Sequence, residues 1–340
     1  MLIAKDINKS LVMNANMKST QYFLLNLLHS SFTDIFRLEY LIFIDNLLTV
    51  VYNKHIKYDV FTRRNSMCVY YDITTPDKAY EFLTNLGFTD QQLVNEFVLE
   101  CEKDSNEFAE RNIAILDTID IFNVRFIAFH VTASLDNCQE IKDNGIRDLQ
   151  YVLSHQTKLT RGLELSGIKI DIDNCILYIN DNAYNIDYDY YRDQWRKTDL
   201  EKILDFIAHR IYYDFCVNGF FFNDNVADYG TDIHKRPEFI DKLIELSPKV
   251  RKLDAFWRAK STPYKVFFYA TVNQIHKFSF DDLPNNFEPY SESELTHIKK
   301  WMLRNAIDRA FSNCFDEKYI YIRDNDYIPS EQIIKCEIME

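Results

Sequence analysis

The stretch Val124-Arg125-Phe126-Ile127-Ala128-Phe129-His130-Val131-Thr132 decides the fold, together with Ile141-Lys142-Asp143-Asn144-Gly145-Ile146 shortly after it. A mostly apolar run of this length, rich in β-branched and aromatic residues, predicts a buried strand. It ends in a polar His-x-Thr. Asp136 or Asn137 then caps a short helix, and Gly145 stops it, since glycine enters the left-handed region without strain. A lone histidine at a strand end is usually structural. Here His130 and Thr132 stand beside a helix, where imidazole and hydroxyl can hold a ribose or an amide.

Outward from this strand, β-like runs recur at 168–179, 220–222, 264–272 and 318–322. Between them, residues 198–217 read as an amphipathic helix with a Thr or Asp cap. Residues 291–312 read as a helix opened by Ser291 and Glu294 at capping-box spacing. Strands mixed irregularly with helices predict an α+β domain over 122–340. The first 121 residues read as a mainly helical domain. Helical spacing is dense at 20–30 and 32–52, a short strand is expected within 66–73, and Thr75-Pro76-Asp77 opens a further helix. Gly87 and an Asp90 cap then outline a helical hairpin. It lacks a basic second helix, so a structural hairpin is favoured over a DNA-binding helix-turn-helix.

Composition narrows the function. The chain has 340 residues, with 39 basic against 52 acidic, a net charge of −13. That excludes coating of bulk nucleic acid over the whole surface. Hydrophobic residues make up 47%, which excludes an intrinsically disordered chain. With six glycines and neither phosphate-loop motif present, Rossmann or P-loop nucleotide binding is not expected. Seven scattered cysteines without a C-x-x-C pattern suit a reduced, cytoplasmic protein. No signal-peptide layout opens the chain, and the most apolar stretch, 38–52, is too short to span a membrane. Histidine and acidic spacings predict no metal site.

Two further segments carry chemistry-bearing residues. Gly219-Phe220-Phe221-Phe222-Asn223-Asp224 is followed by Tyr229, and Asp316-Glu317-Lys318-Tyr319-Ile320-Tyr321-Ile322 leads to Ile328-Pro329. The bland readings are a core strand for the first and a solvated carboxylate at a strand head for the second. In order, these segments with the His-x-Thr strand and the hydrophobic strand 264–272 resemble the ADP-ribosyltransferase superfamily, in its diphtheria-toxin and poly(ADP-ribose) polymerase branch. His130 and Thr132 match its His-x-Ser/Thr strand, and Gly145-Ile146 the end of the following helix. Gly219, Phe222 and Asp224 match its Gly-x-Tyr-Phe-Ala-Asp, and Glu317 with Tyr319 and Tyr321 its Asn-Glu-Tyr-x-Val-Tyr. Phe221 stands where the branch has tyrosine, Tyr229 comes early, and the long span between Gly145 and Gly219 implies an insertion around 147–197.

The resemblance implies a split β-sandwich with helices that binds NAD as substrate, without metal. It implies catalytic roles for Glu317 and His130. His130 and Thr132 would hold the adenosine-side ribose, Gly219 would let backbone approach the nicotinamide amide, and Phe221 and Tyr229 would sandwich nicotinamide. The activity implied is transfer of ADP-ribose to a nucleic acid (RNA or DNA) or protein acceptor, as in toxin and antiphage enzymes, with an antitoxin or defence-system partner. Cationic stretches at 155–161, 192–197 and 249–260, the last with Phe256 and Trp257, suit single-stranded nucleic acid as well as they suit a solvated face. Three other readings fit the same residues: a catalytically silent module of this fold, a related RNA 2′-phosphotransferase, and a non-enzymatic interaction protein. Ser291-Glu292-Ser293-Glu294 contains an E-x-E, but a helix follows it, so a helix cap is its expected role.

Overall fold

An apolar strand needs both faces covered and its edges paired; β2 (Val124–Ser134) is largely buried, with one edge paired almost throughout and the other only in its first half. The computed structural model describes residues 68–229, 232–281, 283–284, 286, 288–311 and 317–339. The helices expected at 20–30 and 32–52 lie outside them. Contacts divide the chain between Ser66 and Met67. The boundary expected after residue 121 therefore falls inside the second unit.

In chain order the elements begin with β1 (Val69–Tyr71), α1 (Pro76–Asn85), α2 (Asp90–Leu93, continued as a π-helical turn to Glu100) and α3 (Ser105–Asn112). After β2 come α4 (Gln139–Asn144), α5 (Leu149–Ser154), α6 (Lys158–Leu165), the strands β3 (Ile168–Asp171), β4 (Ile176–Ile179) and β5 (Asn182–Asn185), α7 (Tyr188–Arg192) and α8 (Asp199–Tyr212). Then follow β6 (Asn218–Phe222), α9 (Ile240–Leu246), α10 (Pro248–Lys260), β7 (Thr262–Ala270), α11 (Glu292–Phe311), β8 (Lys318–Tyr321) and β9 (Ile333–Ile338).

The fold is α+β. The main sheet runs β8-β6-β2-β7-β9, with β1 added beside β2. All its pairings are antiparallel except β1 with β2. β3-β4-β5 form a separate antiparallel sheet. β7 pairs with β2 from Phe126↔Ala270 to Ser134↔Thr262. The other edge of β2 is divided: β1 takes Val124 to Phe126, and β6 touches it through Phe129↔Phe220. From His130 onward that edge has no strand partner among the described residues.

One face of the sheet carries the larger core. Phe126, Ala128, Phe221, Val266 and Phe268 meet Trp301 and Met302 of α11 there, with Phe82 of α1 and Phe108 of α3 in the same core. The hairpin around Gly87 is thus a packing element, and its second helix is capped by Thr89 rather than Asp90. The opposite face holds a smaller cluster of Phe129, Val131, Phe220 and Val226. A second large core gathers around the small sheet, from Leu153 and Leu177 to Ile207 and Trp257. It takes in the expected insertion but also α8, α9 and α10, so that layer reaches well beyond residue 197. No helix among the described residues is long and apolar enough to cross a membrane.

The cap at the head of α11 is also an ion-pair anchor. Ser291 N donates to Glu294 Oε2 at 2.7 Å, and Glu294 N donates to Ser291 Oγ at 3.3 Å. Glu294 also accepts from Lys277 Nζ at 2.8 Å, and Lys277 is only 1% exposed. The Lys277 ammonium and the Ser291 donors bring the Glu294 carboxyl down to about 2, against about 4.3 unfolded. A folded pKa below the unfolded one stabilises above the unfolded value and is lost as pH falls through the folded one. Glu294→Gln leaves Lys277 buried without its anion and is expected to cost about 3 kcal/mol, the low end for a broken buried pair. The wild type should lose this advantage between about pH 4.5 and 2, so the two proteins' urea midpoints should converge there. A constant gap across that range would contradict the assignment.

Candidate functional site

Where β2 and β6 part, the sheet opens into a cleft of about 410 Å³, within the range of small-molecule sites. The free edge of β2 from His130 to Ser134 forms one wall. The others come from the α4–α5 connection, the turn between α8 and β6, and residues 233–239. Along a free strand edge, alternate residues turn their N–H and C=O groups outward. These backbone groups need partners, and a planar amide can provide them.

His130 is half-buried in this wall. Its Nδ1 lies 2.8 Å from the Asn218 carbonyl oxygen. A carbonyl only accepts, so Nδ1 carries the proton and Nε2 keeps its lone pair. Burial lowers the pKa of His130 below that of an ordinary histidine, which keeps the ring neutral at pH 7. Thr132, two residues on, also lines the cleft and stands opposite Tyr264 of β7. Ser134 shapes the turn that follows: its Oγ accepts from Cys138 N at 2.8 Å and donates to Asp136 Oδ1 at 2.9 Å. Asp136 Oδ1 in turn accepts from Gln139 N at the head of α4, as the sequence suggests.

Gly145 ends α4 at φ +78°, and a Cβ there would meet the Ile328 carbonyl oxygen at 2.0 Å. The next residue, Ile146, bonds to Ile328 in both directions. This contact sets the start of Arg147. The Arg147 guanidinium lies 3.4 Å from the Tyr327 ring centre and 4.6 Å from that of Tyr151, and Tyr151 stacks on His155 at 3.8 Å. Among the cleft cations, Arg210 pairs with Asp214 and Glu238, and Arg236 with Asp241 and Asp254. Arg147 and Lys158 make no ion pair among the described residues. They are the cleft charges left for an anionic ligand.

A second constellation lies on the face of the smaller cluster. Phe220 meets Tyr229 edge-on at 5.6 Å and Tyr319 at 5.2 Å. Val131 and Ile233 belong both to this cluster and to the cleft wall. Glu317, at the head of β8, is exposed, yet both its oxygens are engaged. Asn223 Nδ2 donates to Oε2 at 2.7 Å, and the Tyr319 hydroxyl donates to Oε1. Burial first, then the Glu317 and Tyr229 contacts, raise the Tyr319 hydroxyl far above an ordinary tyrosine, so it stays a donor.

Two expected roles need correction, and a third residue lies elsewhere than expected. Phe221 is fully buried on the far side of the sheet, against Trp301 at 5.0 Å and Phe126 at 6.4 Å. It cannot stack on a ligand beside Tyr229. Phe220, one residue earlier, meets Tyr229, because neighbouring strand residues face opposite ways. Gly219 is not a place where ligand meets backbone: a Cβ there would sit 2.6 Å from the Phe129 carbonyl oxygen. Its missing side chain lets β6 approach β2. Glu317 is not among the residues lining the cleft; it stands with the aromatic cluster that adjoins it. Asp224 is spent structurally, gripping Arg309 of α11 through both oxygens at 2.7 and 2.5 Å. Asn223, Arg147 and the Asn218 carbonyl escape sequence reasoning. Asn223 sits directly after the aromatic triplet, which is the one signal for it.

No protein-family model, curated protein or solved structure matches the chain.

Restoring a tyrosine at the corrected position tests the geometry. Phe221→Tyr puts a hydroxyl into a closed aromatic core and is expected to cost about 1–3 kcal/mol for a buried, unpaired polar group, read by urea unfolding. An unchanged midpoint would mean that this ring reaches a partner or solvent.

Proposed function

We propose that the protein is an NAD-dependent ADP-ribosyltransferase, with the cleft at the β2–β6 opening receiving NAD. The observation that carries this reading is the convergence of three sequence-distant strands, β2, β6 and β8, as neighbours in one sheet. They bring a neutral His130 and an oriented Glu317 carboxylate to adjoining sites. The donor set suits the substrate. His130 Nε2 and the Thr132 hydroxyl can bond a ribose diol, Arg147 and Lys158 can meet the diphosphate, and the open β2 edge can take a carboxamide.

Cleavage of the bond between ribose C1′ and the nicotinamide nitrogen sends the bonding pair to nicotinamide and leaves an oxocarbenium-like ribose. A fixed carboxylate stabilises that charge as it develops, and one already held by two donors needs little rearrangement to act. Glu317 takes this role, Tyr319 and Asn223 position it, and the partly exposed Tyr229, braced edge-on by the buried Phe220, offers the aromatic face first assigned to Phe221. Trp195, fully exposed, and Phe256, half-exposed, lie in cationic stretches, which favours a nucleic-acid acceptor.

A second reading, a catalytically silent NAD-fold module, draws on the exposure of Glu317. One experiment separates the two. Adenine-labelled NAD is incubated with the protein and with bacterial DNA, RNA and protein, beside Glu317→Gln. Wild type should release nicotinamide and transfer label, and Glu317→Gln should be slower by roughly 100-fold or more, the scale for losing one electrostatic stabiliser. DNase, RNase or protease release of the label names the acceptor class. Equal rates for the two proteins, or no nicotinamide release by wild type, would overturn the transferase reading.

A further inference from the structure

Beside the cleft, three segments distant in sequence bring a thiol, an imidazole and a carboxylate together. The potential ligand atoms of Cys216, His276 and Asp324 all lie within 4.8 Å of one another. Cys216 lies just before β6 and lines the cleft. His276 follows β7 and is 5% exposed. Asp324 follows β8 and is exposed. Backbone bonds tie the three segments: His276 N to Tyr321 O, Ile322 N to Val217 O and Arg323 N to Gln274 O, each at 2.8 Å. The His276 ring is also stacked on Phe278 at 4.8 Å. The cluster is therefore held by the sheet itself and does not depend on a mobile loop.

We propose that Cys216, His276 and Asp324 form a binding site for one divalent transition-metal ion of the zinc class, with a fourth position left to water. Tetrahedral zinc with sulfur, nitrogen and oxygen ligands sets ligand atoms about 3.3–3.6 Å apart. His276 Nε2 and Asp324 Oδ1 already stand at 3.1 Å, and Cys216 Sγ lies within 4.8 Å of both, so closure needs the Cys216 side chain to approach them. A sulfur, a nitrogen and one oxygen select zinc or cobalt over magnesium or calcium, which take all-oxygen sites. Cys216 borders the cleft, but the metal site does not depend on the NAD reading. Sequence spacing hides it, because no two of its ligands share a local motif.

The test strips the full-length protein with chelator and titrates Co²⁺, following the thiolate-to-cobalt band in the near ultraviolet and the tetrahedral bands in the visible. One equivalent should give both. Cys216→Ser should abolish the near-ultraviolet band. Asp324→Asn, with the fold checked by circular dichroism, should weaken Co²⁺ and Zn²⁺ binding by more than about 100-fold, beyond the usual effect of an outer-shell change. The exposed Cys68→Ser should keep the wild-type spectrum. No band in wild type, a band that survives Cys216→Ser, or unchanged affinity in Asp324→Asn would each overturn the site.

Discussion

The structure depends on one unequal pairing. β2 is locked to β7 along nearly its whole length, but it meets β6 through a single residue pair, Phe129 with Phe220. A full antiparallel match on both edges would have closed the sheet and left no cleft. Gly219 permits the one close contact, and beyond it the strands part. His130 bridges the start of that gap by donating to the Asn218 carbonyl, satisfying one acceptor at the point where the ladder stops. The residue best placed to meet a ligand is thus also the one that closes off the sheet at its opening.

The two sides of the sheet divide the work. The face toward α11 is a deep aromatic core, built around Trp301 and stiffened by the Asp224–Arg309 grip. The other face is thinner and partly open, with Phe220, Tyr229 and Tyr319 leaning on one another. Rigid packing on one face lets the other present ordered but accessible groups. Glu317 is exposed, as a solvated carboxylate would be, but both its oxygens are held, which a merely solvated one does not require.

Elements whose period matches their burial were legible in the sequence. The run at 124–132 becomes β2, the caps at Thr75 and Ser291 open helices, and Gly145 ends one at a positive φ, with an extended ψ in place of the left-handed helical one. What sequence could not supply was the face on which each β6 residue sits. A triplet Phe220-Phe221-Phe222 has no polar residue to mark inside from outside, so a motif alone put Phe221 beside Tyr229, whereas Phe220 is the ring that meets it. The layer formed by α5 to α10 was read as an insertion ending near 197, because its helices are short and its core becomes visible only when Trp257 returns to meet Leu153 and Leu177. No local signal marks Arg147. Its place between two rings is set by Tyr327, from the far end of the chain.

The central claim is that the opening beside His130 receives NAD. Titration calorimetry of wild-type protein and His130→Ala with NAD tests it most directly. The account predicts one site in the wild type and binding weaker by about tenfold in the variant, the scale of one lost ribose hydrogen bond, with the fold intact by circular dichroism. No heat of binding to the wild type, or equal affinity in the two proteins, would contradict it.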